Sequence, residues 1–250
     1  MTPQFSVLTY NIHKGFSMGN RQFVLHRMRE ALPRTGADVV FLQEALGQHD
    51  SHAARVLEWP AYPQFEFLAD TVWPHHAYGR NALYDHGHHG NAILSRYPFV
   101  EWENISVSPY PFAASRSLLH GVIEVPPSRQ RVHVVCVHFG FFGAERRPQI
   151  RRLCARIEAH VPHDEPLVVA GDFNDWSGRA ERDFNAALGL REAFRTLHGR
   201  HARSWPAMAP LLPLDRIYCR GVAPVAAERL GLAPWHTLSD HTPLQAWFRL

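Results

Sequence analysis

Near the middle of the chain, LVVAGDFNDW (167–176) runs four apolar residues, Leu167 to Ala170, through one glycine into Asp172, Asn174 and Asp175. Carboxylates and an amide at the end of a buried strand are the groups that orient water, grip phosphate oxygens or hold a hard cation. The pattern recurs. Asn11 and His13 follow VLTY, Glu44 ends VVFLQE, and His138 follows HVVCV; Asp215 opens LDRIYC, and Ser239, Asp240 and His241 precede the last apolar run. Turns alone do not require six such endings drawn only from Asn, His, Glu, Asp and Ser. If the strands pack as two sheets, several of these ends can converge on one cleft.

The elements that would position them are legible in the periodicity. FSVLTYNI (5–12) and DVVFLQE (38–44) predict strands, with a helix over 21–35 between them, stopped by Gly36. A short helix is expected near 48–57 and a strand at FEFLAD (65–70). Residues 73–90, WPHHAYGRNALYDHGHHG, show little periodicity and many Gly and His, and read as a long substrate loop. NAILSRYPF, VEWENISV, SLLHGVIEV and RVHVVCVHF predict strands, the last two joined by the turn PPSRQ. Helices are expected over 144–161 and near 179–188. Strands follow at 214–219, at 222–229 and in PLQAWFRL. Many strands interrupted by a few helices predict two packed sheets with helices outside, in a single domain over residues 1–250.

Bulk properties bound the function. The chain has 250 residues, 46% hydrophobic and 20% charged, with net charge +3. That is enough for a sizeable core. A mildly basic balance suits an anionic substrate but lacks the dense field of a dedicated nucleic-acid binder. Lys14 is the single lysine against 25 arginines. Three cysteines, Cys136, Cys154 and Cys219, sit in apolar contexts without metal spacing and read as reduced core thiols. No apolar run approaches a membrane span. The first residues, MTPQFSVLTYNIHKG, show no secretory pattern. A cytoplasmic location is therefore expected, with no stable protein partner and a monomer.

TYNIHKG, LQE, HHGNAILSRYP, VHFG, GDFND, LDRIY and SDHTPL, in this order, resemble the endonuclease/exonuclease/phosphatase superfamily. Its relatives include deoxyribonuclease I, abasic-site endonucleases, neutral sphingomyelinases and inositol polyphosphate 5-phosphatases. The pattern is most similar to an uncharacterised bacterial branch of small cytoplasmic members. The resemblance spans residues 7–250 and implies an α/β fold, a four-layer α/β/β/α sandwich of the DNase I-like type. It has two mostly antiparallel sheets and a site at one edge of both. It also implies Mg²⁺-dependent hydrolysis of phosphoester bonds, with Mn²⁺ as a substitute.

The resemblance assigns roles. Glu44 is the metal ligand, Asn11 a metal-shell amide, and Asp240 an aspartate that binds metal or holds the site together. His241 is either the general base or a binder of the phosphoryl oxygens, with Asp215 fixing its tautomer. Asp172 and Asn174 orient water and grip the phosphate, Asp172 as base or as leaving-group acid. The glycine before Asp172 is expected to let the backbone approach substrate. His138 is a phosphate hydrogen-bond donor or leaving-group acid. Arg116 is a basic phosphate contact, and Asn91 reaches the phosphate from a loop end. His13 and Lys14 depart from relatives that carry an acidic residue two positions after the asparagine, and Lys14 adds positive charge suited to an anionic substrate.

Simpler readings stand beside these. Asp175 reads as a cap of the following turn, and Trp176 either lines the cleft or packs beside it. The five histidines between 75 and 89 lack zinc spacing. The arginines of 147–156 read as a solvated helix face. The substrate is a nucleic acid, or a phospholipid or small molecule. For the lipid case, WPAMAPLLPL (205–214) and LGLAPW (230–235) would touch acyl chains if exposed beside the cleft, whereas packing makes them ordinary loops. A catalytically inactive binding module on the same fold is the reading from another class. The presence of both Glu44 and His241 weighs against it.

Overall fold

A computed structural model describes residues 4–108 and 115–250. Two six-stranded sheets face each other, with the predicted alternation of buried runs and polar ends. The first sheet is ordered β11-β12-β1-β2-β4-β3, where β1 is Gln4–Asn11, β2 Val39–His49, β3 His75–Tyr84, β4 Gly87–Ser95, β11 Ala223–Arg229 and β12 Leu244–Arg249. The second is β5-β6-β7-β8-β10-β9, where β5 is Phe99–Ser106, β6 Ser117–Val125, β7 Gln130–His138, β8 Leu167–Asp172, β9 Arg191–Glu192 and β10 Asp215–Arg220.

Each sheet contains one parallel pair, β1 with β2 and β7 with β8, and is otherwise antiparallel. That arrangement matters for the site. Parallel neighbours deliver their C-terminal ends to the same edge. Asn11 and Glu44 are thus brought together in one sheet, and His138 is paired in register with Asp172 in the other. Asp215 opens β10 opposite Asp172 because β10 runs antiparallel to β8.

Three apolar clusters make the layers. Phe5, Val7, Phe41 and Phe248 of one sheet meet Leu119, Val134, Val168 and Ile217 of the other between the sheets. Outside the first sheet, Leu8, Tyr10, Val40 and Leu42 pack on α1 (Leu25–Ala31) and α3 (Gln64–Ala69). Outside the second, Val135, Val137 and Val169 pack on α4 (Gly143–His160) and α5 (Arg179–Leu188). The short α2 (Asp50–Ala53) and α6 (Ala193–His198) complete the helices. The result is the expected four-layer α/β/β/α sandwich. All three cysteines are free, Cys136 and Cys219 fully buried and Cys154 half-buried.

Two predicted segments are corrected. FEFLAD is a helix, α3, because Phe65, Leu68 and Ala69 form one buried face at helical spacing. Residues 75–95 are a hairpin, β3 and β4, with no long loop: Ala77, Gly79 and Asn81 alternate inward along β3. A side chain at Gly79 would strike Asn104, and one at Gly90 would strike the Gly79 carbonyl. The glycines there allow close approach of strands and do not break them. The 21–35 helix is shorter than predicted, α1 followed by a 3-10 turn, Leu32–Thr35.

Candidate active site

Asp172 sits at the centre. It is buried at the end of β8, and each carboxylate oxygen has assigned partners. Oδ1 accepts from the Asn174 backbone N–H at 2.9 Å. Oδ2 accepts from Asn11 Nδ2 at 3.2 Å across the gap between the sheets. The same oxygen lies 3.6 Å from His138 Nε2 and 3.8 Å from His241 Nε2. His241 is held from its other side, with Nδ1 2.8 Å from Asp215 Oδ2. Asp215 is itself fixed by the Ser204 hydroxyl, which accepts from its backbone N–H at 3.1 Å. A continuous chain Asp215–His241–Asp172–His138 therefore crosses the site.

Gly171 explains how Asp172 reaches this place. Its φ is +148°, and a Cβ there would collide with the Val137 carbonyl of the neighbouring strand. The glycine lets β8 lie against β7, which corrects the expectation that it opens the backbone to substrate. Asn174 follows in the left-handed region, φ 48°, with its Nδ2 donating to the Phe139 carbonyl at 3.0 Å. Asp175 caps the turn as expected, accepting from Ser177 Oγ and the Ala180 N–H.

Electrostatics separate the groups. Burial raises the Asp172 carboxyl to about 6; His241 opposes that rise and Asp215 adds to it. Burial alone would lower the His241 imidazole. The Asp215 carboxylate and its hydrogen bond, with Asp172 and Asp240, outweigh burial and hold it up to about 10. His138 is pushed well below the ordinary histidine value by burial and by the positive charge of Arg116. At neutral pH His241 is therefore an imidazolium and His138 a neutral imidazole.

The residues expected to hold a metal come from the first sheet. Glu44 stands on β2 with φ 58°, where the β2–β4 register slips between Leu42 and Ala45. Its Oε1 accepts from Asn11 Nδ2 at 3.4 Å, and Oε2 lies 3.7 Å from Lys14 Nζ. One Asn11 amide is thus pinned between the carboxylates of Glu44 and Asp172. The Glu44 carboxylate from one sheet and the Asp172 carboxylate from the other are hard oxygen donors of the kind a divalent cation takes, while Asn11 turns its Nδ2 toward both and its Oδ1 accepts from the His13 N–H at 3.1 Å. Asp172, Asp215 and His241 also bring ligand atoms within 4.8 Å of one another. The tight His241–Asp215 hydrogen bond and the imidazolium it maintains make that trio an ion-paired relay better than a ligand set. Asp240 is half-buried, 3.7 Å from His13 Nδ1 and accepting from Ser239 Oγ; Ser239 ties its turn to the Asn11 carbonyl at 2.7 Å.

The remaining predicted residues divide. Arg116 lies just before β6, close enough to depress His138 and His89. Asn91 is placed differently from the expectation. It is fully buried on β4, donating to the Ser117 and Cys136 carbonyls and bracing the two sheets. Sequence reasoning missed His89, which sits beside Glu44, Lys14 and Arg116 and is lowered to about 4 by burial. Its signal was the inward position immediately before the buried run GNAIL.

Fold and site together define a sandwich of the DNase I-like architecture. A structure from Bacteroides vulgatus described as an endonuclease/exonuclease/phosphatase superposes with TM-score 0.76 at 20% identity, covering 99% of each chain. The Danio rerio TDP2 structure complexed with single strand DNA product gives TM-score 0.69 at 20% identity over 99% of each chain. The chain belongs to the Endonuclease/Exonuclease/phosphatase family, whose sequence model matches residues 8–241. It is similar over its whole length to the uncharacterized protein YbhP of Escherichia coli strain K12, 47% identical over 251 residues covering 98% of that protein. Family members are hydrolases acting on phosphoester bonds and generally require a divalent metal.

Proposed function

We propose that this protein is a Mg²⁺-dependent phosphoesterase that hydrolyses phosphodiester or phosphomonoester bonds by attack of water. The observation that carries the reading is the convergence of Asn11 and Glu44 from one sheet with His138, Asp172 and Asp215 from the other, closed by His241.

In this reading Glu44 holds the ion, Asn11 fixes the Glu44 carboxylate beside it through its Nδ2–H, and Asp240 secures the neighbouring turn. When bound, the ion supplies positive charge to phosphoryl oxygens that repel a nucleophile. The protein groups do the rest. Asp172 titrates at about 6, close to working pH, and accepts the proton of the attacking water. His241 is already an imidazolium at neutral pH and donates to a phosphoryl oxygen, so it serves as electrostatic stabiliser and not as base. Neutral His138 and the Arg116 guanidinium are further donors to the phosphate. Asn174 holds the Asp172 carboxylate in register through its backbone N–H. Lys14, beside Glu44, adds positive charge for an anionic substrate.

A substrate panel tests the reading: bis-p-nitrophenyl phosphate, single- and double-stranded DNA, RNA, inositol phosphates and phospholipid vesicles, each with Mg²⁺ and with EDTA. Hydrolysis of at least one class, abolished by EDTA and by His241→Ala, is expected. Absence of turnover throughout, or turnover indifferent to EDTA, overturns it.

A further inference from the structure

The edge that carries the catalytic residues also carries apolar side chains that a water-facing cleft does not need. Phe141 and Phe142 follow β7, and Trp176 follows β8; all three are exposed, Phe142 by 67%. They form one patch, with Phe141 5.7 Å from Phe142 and 5.1 Å from Trp176 between ring centroids. The patch is held rigid. The Gly140 N–H donates to Gln149 Oε1 at 2.8 Å, and the Arg146 guanidinium donates to the Phe141 carbonyl at 2.7 Å while covering the Trp176 ring at 5.0 Å. The loop backbone is satisfied from below, so its rings are presented outward by construction.

Two further apolar loops lead into the site. Met208 and Leu211 are exposed on the loop before β10, and Leu232 is 84% exposed on the loop before β12. Buried Ala207 ties the first loop to the site by donating to the Asp240 carbonyl at 2.7 Å, and the Leu211 N–H bonds the Trp205 carbonyl at 2.8 Å. Both loops lead directly into site residues, Asp215 and His241.

Arginine-lined pockets lie beside both groups. One of about 450 Å³ adjoins Trp176 and is lined by Arg147, Arg151, Arg179 and Arg182, with Asp183 and the already bonded Asp175. Another of about 960 Å³ shares the 200–214 loop and is lined by Arg200, Arg203 and Arg229 with Glu228. Among the described residues, the arginines ion-paired to carboxylates are others: Arg29, Arg96, Arg129, Arg156 and Arg195.

We propose that this edge docks on an anionic phospholipid surface, with Phe141, Phe142, Trp176, Met208, Leu211 and Leu232 at the acyl boundary and the flanking arginines on headgroup phosphates. Aromatic rings backed by guanidinium groups would also suit a nucleic-acid strand. The exposed Met208, Leu211 and Leu232 offer no hydrogen bond to a base or a phosphate, whereas an interface takes up aliphatic and aromatic side chains together and places cations at the headgroups. No helix among the described residues is long and apolar enough to cross a membrane. The substrate class this implies, a phosphoester presented at a lipid surface, rests on the phosphoesterase reading; the docking itself does not.

Vesicle co-sedimentation in EDTA tests docking without turnover, using phosphatidylcholine alone or mixed with phosphatidylglycerol, for the full chain and for Phe142→Asp/Leu232→Asp. Both positions are surface tips, and an unchanged thermal midpoint verifies the fold. Binding to the mixed vesicles, weakened by salt and reduced about 100-fold in the double variant, is expected, since each of the two exposed apolar side chains withdrawn from water is worth about tenfold. Docking is overturned by no binding to mixed vesicles at low salt, or by equal binding of the double variant. It is equally overturned if a fluorescent single-stranded oligonucleotide binds tightly, displaces the vesicles and is lost in the same variant. Vesicle binding by a protein that turns over no member of the substrate panel sinks the phosphoesterase reading and leaves docking standing.

Discussion

Asp215→Asn removes one charge and keeps the shape of the relay. Asp215 Oδ2 lies 2.8 Å from His241 Nδ1, and both groups are buried. Holding a buried imidazole at about 10 against its ordinary 6.5 corresponds to roughly 5 kcal/mol in favour of the cation. Asp172 and Asp240 supply part of that, so the asparagine loses a large share and leaves burial less opposed. The His241 imidazolium should then titrate several pH units lower and be mostly neutral at neutral pH. The sign follows: a raised imidazole contributes stability present in full below about 6.5 and lost as pH rises through about 10, and in the variant that stability is lost at lower pH. If the cation stabilises the phosphoryl oxygens, turnover at neutral pH should fall about 10²-fold or more and recover partly as pH is lowered. Imidazole chemical shifts against pH report the titration, and initial rates against pH report the chemistry. A His241 resonance that still titrates near 10 in the variant, or turnover within about threefold of wild type, would refute this assignment.

Three further outcomes follow from other parts of the molecule. Glu44→Gln should weaken divalent-ion binding, read by calorimetry, by about 10- to 100-fold or more, and lower turnover in parallel. Gly171→Ala places a methyl group against the Val137 carbonyl at φ +148°, and should cost on the order of 3 kcal/mol or prevent folding, read by urea denaturation. Burial lowers His120 to about 3, helped by His133, whose Nδ1 lies 2.8 Å from His120 Nε2. An unfolded chain therefore binds a proton that the native one refuses, and stability should fall by about 2 kcal/mol between about pH 7 and pH 5 from this group alone. His120→Gln should flatten that limb in denaturation curves measured across pH.

Most of the site was legible because its residues terminate strands whose apolar runs are unambiguous. Asp172, His138 and Asp215 needed only strand ends and the family order of motifs to be brought together. What the chain does not print is the space between strands. Gly79 and Gly90 look like loop punctuation, yet they are where β3, β4 and β5 come too close for a Cβ, so the sequence of a hairpin resembles that of a loop. Six residues, as in α3, are too few for helical and strand periods to part, and FEFLAD satisfied both. Asn91 stands in a polar-looking motif, but burial turns its amide inward as a brace between sheets. His89 escaped notice for the same reason, as one histidine among many until the β2–β4 pairing set it beside Glu44.

The account depends on two sheets delivering oxygen donors to one divalent ion, and anomalous diffraction from Mn²⁺-soaked crystals addresses that most directly. It predicts a strong peak about 2.0–2.3 Å from a Glu44 carboxylate oxygen, adjoining Asn11 and lost in Glu44→Gln. A site without a peak, or manganese bound only at residues remote from Glu44 and Asp172, would contradict it.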